Sequence, residues 1–203
     1  MNVEGTYTFD GPRSVVWDAL LDPEVLASVL PGCEKLDLVG ENEYEGALSI
    51  KVGPIQGKFM GNVKLEDIVA PDSYTMLVDG RGAPGFVKAR GELTLSGSGD
   101  TTDVAYTGEA DVGGRLASVG QRLIESSAKA IIKQSLDGLN DSVRARVAGD
   151  GGATVAPEAP SQQEFARAVA RDVARDVVPP KMRILIGGLL AVSVLILLFV
   201  LLG

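Results

Sequence analysis

The 203-residue chain has no histidine and a single cysteine. Without histidine the commonest general base, the commonest metal ligand and every nucleophile–histidine pair are missing. The one cysteine, Cys33, cannot close an internal disulfide, which fits a reducing compartment. With no histidine to activate it, Cys33 reads as a small buried residue, not a nucleophile. No phosphate loop is present. The nearest mimic, Gly80-Arg81-Gly82-Ala83-Pro84-Gly85, lacks the Gly-Lys-Ser/Thr ending and falls between two strand-like stretches. It reads as a hairpin loop. Positive charge is scarce: residues 1–148 hold 14 Lys and Arg against 22 Asp and Glu. Nucleic-acid affinity comes mostly from phosphate neutralisation, so no nucleic-acid partner is expected. These absences exclude the usual acid–base, metal and covalent constellations. A non-enzymatic protein with no covalently bound cofactor is the expectation.

What the chain does have is one long apolar run. From Ile184 to Leu202 there is no charge, and Ser193 is the only polar side chain. A helix of that length spans about 28 Å, close to the roughly 30 Å hydrocarbon core of a bilayer. A helix also pairs its own backbone groups, as the lipid interior demands. Residues 1–10 alternate like a strand and do not resemble a signal peptide. Lys181 and Arg183 flank the run on its N-terminal side, so the positive-inside tendency keeps everything before it in the cytoplasm. The expected arrangement is a single-pass C-terminal anchor over 181–203 in the cytoplasmic membrane. A Gly- and Pro-rich flexible linker covers 149–163. Over 164–180, Phe165, Val169, Val173 and Val177 recur every four residues, an amphipathic juxtamembrane helix.

The remaining 148 residues make one ordinary domain. Asn2 to Phe9 alternates, with Val3, Gly5, Tyr7 and Phe9 on one face. Asp10-Gly11-Pro12 opens a helix and Asp22-Pro23 a second, short one, which Pro31-Gly32 stops. Six strands joined by short turns follow over 35–39, 44–52, 55–68, 74–79, 86–96 and 102–112, an antiparallel meander. Gly113-Gly114 breaks the sheet, and residues 115–147 read as one long amphipathic helix. The order is α+β: a curved seven-stranded sheet with one apolar face, covered by the long helix. Such a pairing leaves a hollow. By alternation Phe59, Val63, Tyr74, Met76 and Tyr106 face it from the sheet. Leu123 and Ile124 face it from the helix, and Gly120 and Ser127 are small enough to leave room. Leu30 and Phe86 are placed at its rim by their loops. Apolar walls with a few polar tips suit a lipophilic ligand.

Several stretches in their order resemble the carbon monoxide dehydrogenase G-subunit family. They are the Asn2–Phe9 strand, Asp22-Pro23, Leu30-Pro31-Gly32-Cys33-Glu34, Val52-Gly53-Pro54 and Phe59-Met60-Gly61. Gly80-Arg81-Gly82, Ala89-Arg90-Gly91 and Gly113-Gly114-Arg115-Leu116-Ala117-Ser118-Val119-Gly120 complete the set. The resemblance spans about residues 1–146. It implies a START-like helix-grip fold that holds an apolar ligand between sheet and C-terminal helix. It also implies an accessory role, recruiting a molybdenum carbon monoxide dehydrogenase complex to the membrane. A membrane quinone, the enzyme's electron acceptor, is the expected ligand. A docking adaptor without ligand, and a maturation factor or cyclase-like enzyme, are the alternatives.

Overall fold

A computed structural model describes residues 1–149, apart from 53, 54 and 98. The expected juxtamembrane helix and anchor, and the linker beyond Gly149, lie outside the described residues. Among the described residues no helix is long and apolar enough to cross a membrane.

Strand β1 (Asn2–Phe9) leads into helix α1 (Arg13–Leu21) and the short α2 (Pro23–Val29). The Asp22 carboxylate accepts the backbone N–H groups of Glu24 and Val25 at 3.0 and 3.3 Å, and Pro23 occupies the first helical position. That cap and proline are why the chain restarts a helix at once. Six strands follow: β2 (Cys33–Gly40), β3 (Glu43–Val52), β4 (Ile55–Val69), β5 (Ser73–Gly82), β6 (Gly85–Ser96) and β7 (Thr102–Gly114). They form one antiparallel sheet in the order β1-β7-β6-β5-β4-β3-β2, and α3 (Gln121–Val147) covers its concave face. The α+β reading and the seven strands stand.

Two expectations are corrected. Residues 80–85 are not a loop: Gly80 and Gly82 are ladder positions in β5, and only Ala83 and Pro84 separate it from β6. At Gly82, and at Gly61 on the neighbouring strand, glycine is required by close strand approach. A Cβ on Gly82 would fall 2.3 Å from the Lys58 carbonyl oxygen, and one on Gly61, opposite Gly80, 3.0 Å from that of Asp79. The long helix does not start at residue 115 either. One 3-10 turn, Ala117–Val119, comes first, and Gly120 at φ 94° breaks the chain before α3. That backbone conformation favours glycine, so it punctuates the helix where periodicity alone saw continuity.

The main core packs α1, α2 and the C-terminal half of α3 against one end of the sheet. Phe9, Val16, Val29, Val104, Leu139 and Val143 are among its most buried members. Val143 needs the notch left by Gly11, whose Cβ would sit 2.4 Å from Val143 Cγ1. Gly138 likewise lets α3 rest on Val29. A polar clasp fixes the same end of the helix. The Asp10 amide donates to Asn140 Oδ1 at 2.9 Å. Asn140 Nδ2 and Arg144 Nε donate to the Asp10 carboxylate at 3.0 and 2.8 Å. Arg146 reaches the Asp22 carboxylate at 2.6 Å. A second, smaller cluster stands near the other end: Phe59 and Leu116, with Ile50, Val87, Val112 and Val119 against them.

The Asn140 hydrogen bond, then the Arg144 guanidinium, hold the Asp10 carboxyl below its ordinary range. A carboxyl depressed in this way adds stability above its unfolded pKa and loses it as the pH falls through the folded one. Asp10→Asn is therefore expected to lower the urea midpoint at neutral pH, with the gap to the parent closing as the pH falls below the ordinary carboxylate range. Urea titrations of both proteins across acid pH check this. A gap that stays constant would show that the carboxylate charge is not what holds the helix.

Candidate functional site

Cross-strand register sorts the inward positions of the sheet into rows. One row runs Val3, Gly108, Gly91, Met76, Leu65 across five strands. The next runs Ala110, Ala89, Val78, Val63, Tyr44, and the one after that Val112, Val87, Gly80, Gly61, Gly46. The middle of the concave face is thus floored by glycine, alanine and valine. It lies between the main core and the smaller Phe59–Leu116 cluster, which are separate from one another. A Cβ on Gly80 would meet nothing nearer than the Val87 carbonyl oxygen at 3.8 Å. Met76 shows what occupies this space. It points inward from the central strand, two residues from buried Tyr74, yet it is 38% exposed. Water reaches the concave face at the centre of the sheet.

The concave face is uncovered at one side. Strand β1 pairs with β7 only from Thr102 to Glu109, and the Met1 amino group donates to the Ala110 carbonyl at 2.6 Å. The last residues of β7 have no β1 neighbour. A pocket of about 260 Å³ opens there, against the start of α3. Val112 and Ala110 line it from the sheet, Ala117, Gln121 and Ile124 from the helical side.

The structure distributes the residues singled out in the sequence unevenly. Phe59, Val63, Tyr74, Met76 and Tyr106 share the concave face. Tyr74 and Val63 join the main core, where the Tyr74 ring meets Trp17 edge-on at 5.7 Å. Phe59 belongs to the smaller cluster. The Tyr106 ring lies over Gly5, whose Cβ would be 2.4 Å from the hydroxyl, and burial pushes the phenol's pKa up. Burial does the same to Tyr74. Leu123 and Ile124 are half-buried on the first turn of α3. Ser127 is buried, its hydroxyl donating to the Leu123 carbonyl at 2.7 Å. Gly120 caps the helix and has no heavy atom within 4 Å of a built Cβ. Leu30 ends α2, half-buried at the corner into β2.

Phe86 is on the other side of the sheet. It pairs with Arg81 and Gly113, and a Cβ on Gly113 would fall 2.1 Å from its ring. Phe86, Arg81 and Met60 therefore share the convex face. The reason is parity: with 80–82 inside β5 and a two-residue turn, residue 86 takes the outward phase. The expectation missed Val78, Ala89, Gly80 and Gly91 on the concave floor. It also missed two buried polar atoms of α3, Gln134 Oε1 and Ser135 Oγ, which have no hydrogen-bond partner among the described residues. The inward alternation of Gly61 and Gly108 with large apolar residues was the legible signal for the floor. Among the described residues no group of three or more His, Cys, Asp or Glu could hold a metal ion. Such a face presents apolar surface with a few polar tips.

The family model for the carbon monoxide dehydrogenase G subunit (CoxG) matches residues 5–144. A conserved protein from Geobacillus kaustophilus is similar at 34% identity and a TM-score of 0.69, covering 71% of this chain and 95% of its own. The Zhui aromatase/cyclase from Streptomyces sp. R1128 is 16% identical with a TM-score of 0.59, covering 75% of this chain and 99% of its own. A START superfamily protein from Mycobacterium smegmatis is 11% identical with a TM-score of 0.55, covering 70% and 97%. Those two likenesses establish the START-like fold and nothing finer. No curated protein matches the chain.

An open concave face can be tested chemically. Met76→Cys in a Cys33→Ser background is expected to react with a water-soluble maleimide in the folded protein. Adding Gly80→Leu is expected to leave the melting temperature nearly unchanged. In a closed core the same leucine would overpack and cost about 1–3 kcal/mol. Reaction only on unfolding, or a large fall in melting temperature, would show that the hollow is filled.

Proposed function

The chain belongs to the carbon monoxide dehydrogenase G-subunit (CoxG) family, and on that premise we propose that it is a ligand-binding accessory protein tethered to the cytoplasmic membrane. In this reading it recruits a molybdenum carbon monoxide dehydrogenase and holds a lipophilic quinone, the enzyme's electron acceptor, in the hollow. The observation that carries the reading is Met76: an inward-facing residue of the central strand that is substantially exposed, on a floor of glycine and alanine between two separate clusters. A ligand of stacked isoprene units needs apolar walls along its tail and few polar partners at its head. Val63, Val78, Val87 and Val112 supply such walls. The Tyr106 hydroxyl is the head-group partner on this face.

The tether rests on the sequence from Ile184 to Leu202, and the Gly- and Pro-rich residues before it give the domain reach. A catalytic reading has the Zhui aromatase/cyclase as a structural neighbour, but that likeness is one of fold. With no histidine in the chain, cyclase chemistry would lack the usual proton carrier. A docking adaptor without ligand draws on the acidity of the domain, which complements a basic partner.

Deleting residues 184–203 is expected to move the protein from the membrane to the soluble fraction. Carbon monoxide oxidation should continue with a soluble dye as acceptor, while electron transfer into the membrane quinone pool is lost. Fractionation and the two activity assays on the same cells check this. A truncated chain that still sediments with membranes lacking the dehydrogenase would rule out the single tether.

A further inference from the structure

The acidity of the domain is not spread evenly. The β2–β3, β4–β5 and β6–β7 turns lie at one end of the sheet, with Glu41, Glu43, Asp67, Asp72, Asp100 and Asp103 on or beside them. The β5–β6 turn, the ends of β3 and β7 and the start of β4 lie at the other. There the convex face carries Lys58, Arg81 and Lys88, and Arg115 follows β7, its guanidinium donating to the Ala83 carbonyl at 3.1 Å. Two large apolar side chains stand among these cations: Met60, 48% exposed, and Phe86, 39% exposed. Register puts Phe86, Arg81 and Met60 side by side on three neighbouring strands. Asp79 binds Arg81 and lies 3.9 Å from Lys88, Glu34 pairs with Lys58, and Asp111 stands opposite Lys88, so the four cations exceed these acids by one.

We propose that this end of the sheet is a second membrane contact, in which Phe86 and Met60 enter the headgroup region of an anionic bilayer and Lys58, Arg81, Lys88 and Arg115 meet its phosphates. Charge complementarity selects the occupant: a negatively charged leaflet attracts clustered Lys and Arg and repels the acidic end. An aromatic ring beside cations is the side-chain set that sits at a lipid–water interface. Position gives the contact a purpose. Phe86 covers Gly113, and Val112 of the same strand end lines the side pocket against Ile124. Docking by this end brings the opening of the hollow to the bilayer surface. The inference rests on the lipophilic-ligand reading for its purpose, but the contact itself is testable without it.

The test uses the full chain with Cys33→Ser and one polarity-sensitive fluorophore, placed either at Phe86→Cys or at Glu41→Cys. Each protein is mixed with neutral phosphatidylcholine vesicles or with vesicles containing phosphatidylglycerol, both carrying a lipid-borne quencher, and then floated. The expected result is strong quenching at position 86 in anionic vesicles, little at position 41, and loss of the difference in high salt. Arg81→Gln and Lys88→Gln should each lower the docked fraction roughly fivefold at low occupancy. Flotation with both lipids and strong quenching at 86 in the anionic ones supports anchor and contact together. Flotation with the anionic vesicles only, reversed by salt, supports the contact and overturns the anchor. Flotation with both lipids and equal quenching at the two positions overturns the contact and keeps the anchor. No flotation at all overturns both.

Discussion

A seven-stranded sheet that coils around one helix cannot carry a side chain at every inward position, and the glycines of its concave face are the constraint on which the rest depends. Gly46, Gly61 and Gly80 lie side by side on three strands, and Gly91 and Gly108 on two more. Strand backbones approach where those side chains are missing. The same absence leaves the middle of the face unfilled. Stability must then come from the ends. The main core gathers three helices at one end, and the clasp of Asp10 by Asn140 and Arg144 holds α3 there. The other half of α3 begins after Gly120, beside the side pocket.

Much of this was legible in the residues. Alternation and turn signals together located the seven strands, because a half-buried strand writes its face into a period of two and its ends into turn residues. The Asp22-Pro23 restart was readable because cap and proline act locally. The failures were those of non-local geometry. Gly80 and Gly82 looked like a loop, since glycine in sequence does not say whether a turn or a neighbouring strand demands it. With those residues read as a loop, Phe86 was placed at the rim, whereas the two-residue turn pairs it with Arg81 on the convex face. Gly120 was absorbed into a helix by its apolar neighbours, although its positive φ ends the regular backbone. Val63 and Tyr74 point inward as their alternation says. Only the packing of Trp17 and its neighbours determines that they complete a core, and no local pattern encodes that.

Charge follows the same division. A net acidic composition argues against an anionic surface when averaged over the chain, but a molecule presents faces, not averages. The acidic turns at one end suit a basic protein partner, and the cationic end with Phe86 and Met60 suits a bilayer. A domain built this way can meet an enzyme and a membrane with different surfaces, with its hollow between them. Family membership and the START-like fold make ligand holding the natural use of that hollow.

The central claim is that the hollow carries an apolar molecule. Native mass spectrometry of the full chain, released from its own membrane and followed by solvent extraction, tests it most directly. The account predicts one isoprenoid quinone per chain, retained by the folded protein and freed on unfolding. A chain that appears only at its own mass, with no apolar molecule in the extract beyond bulk phospholipid, would contradict it.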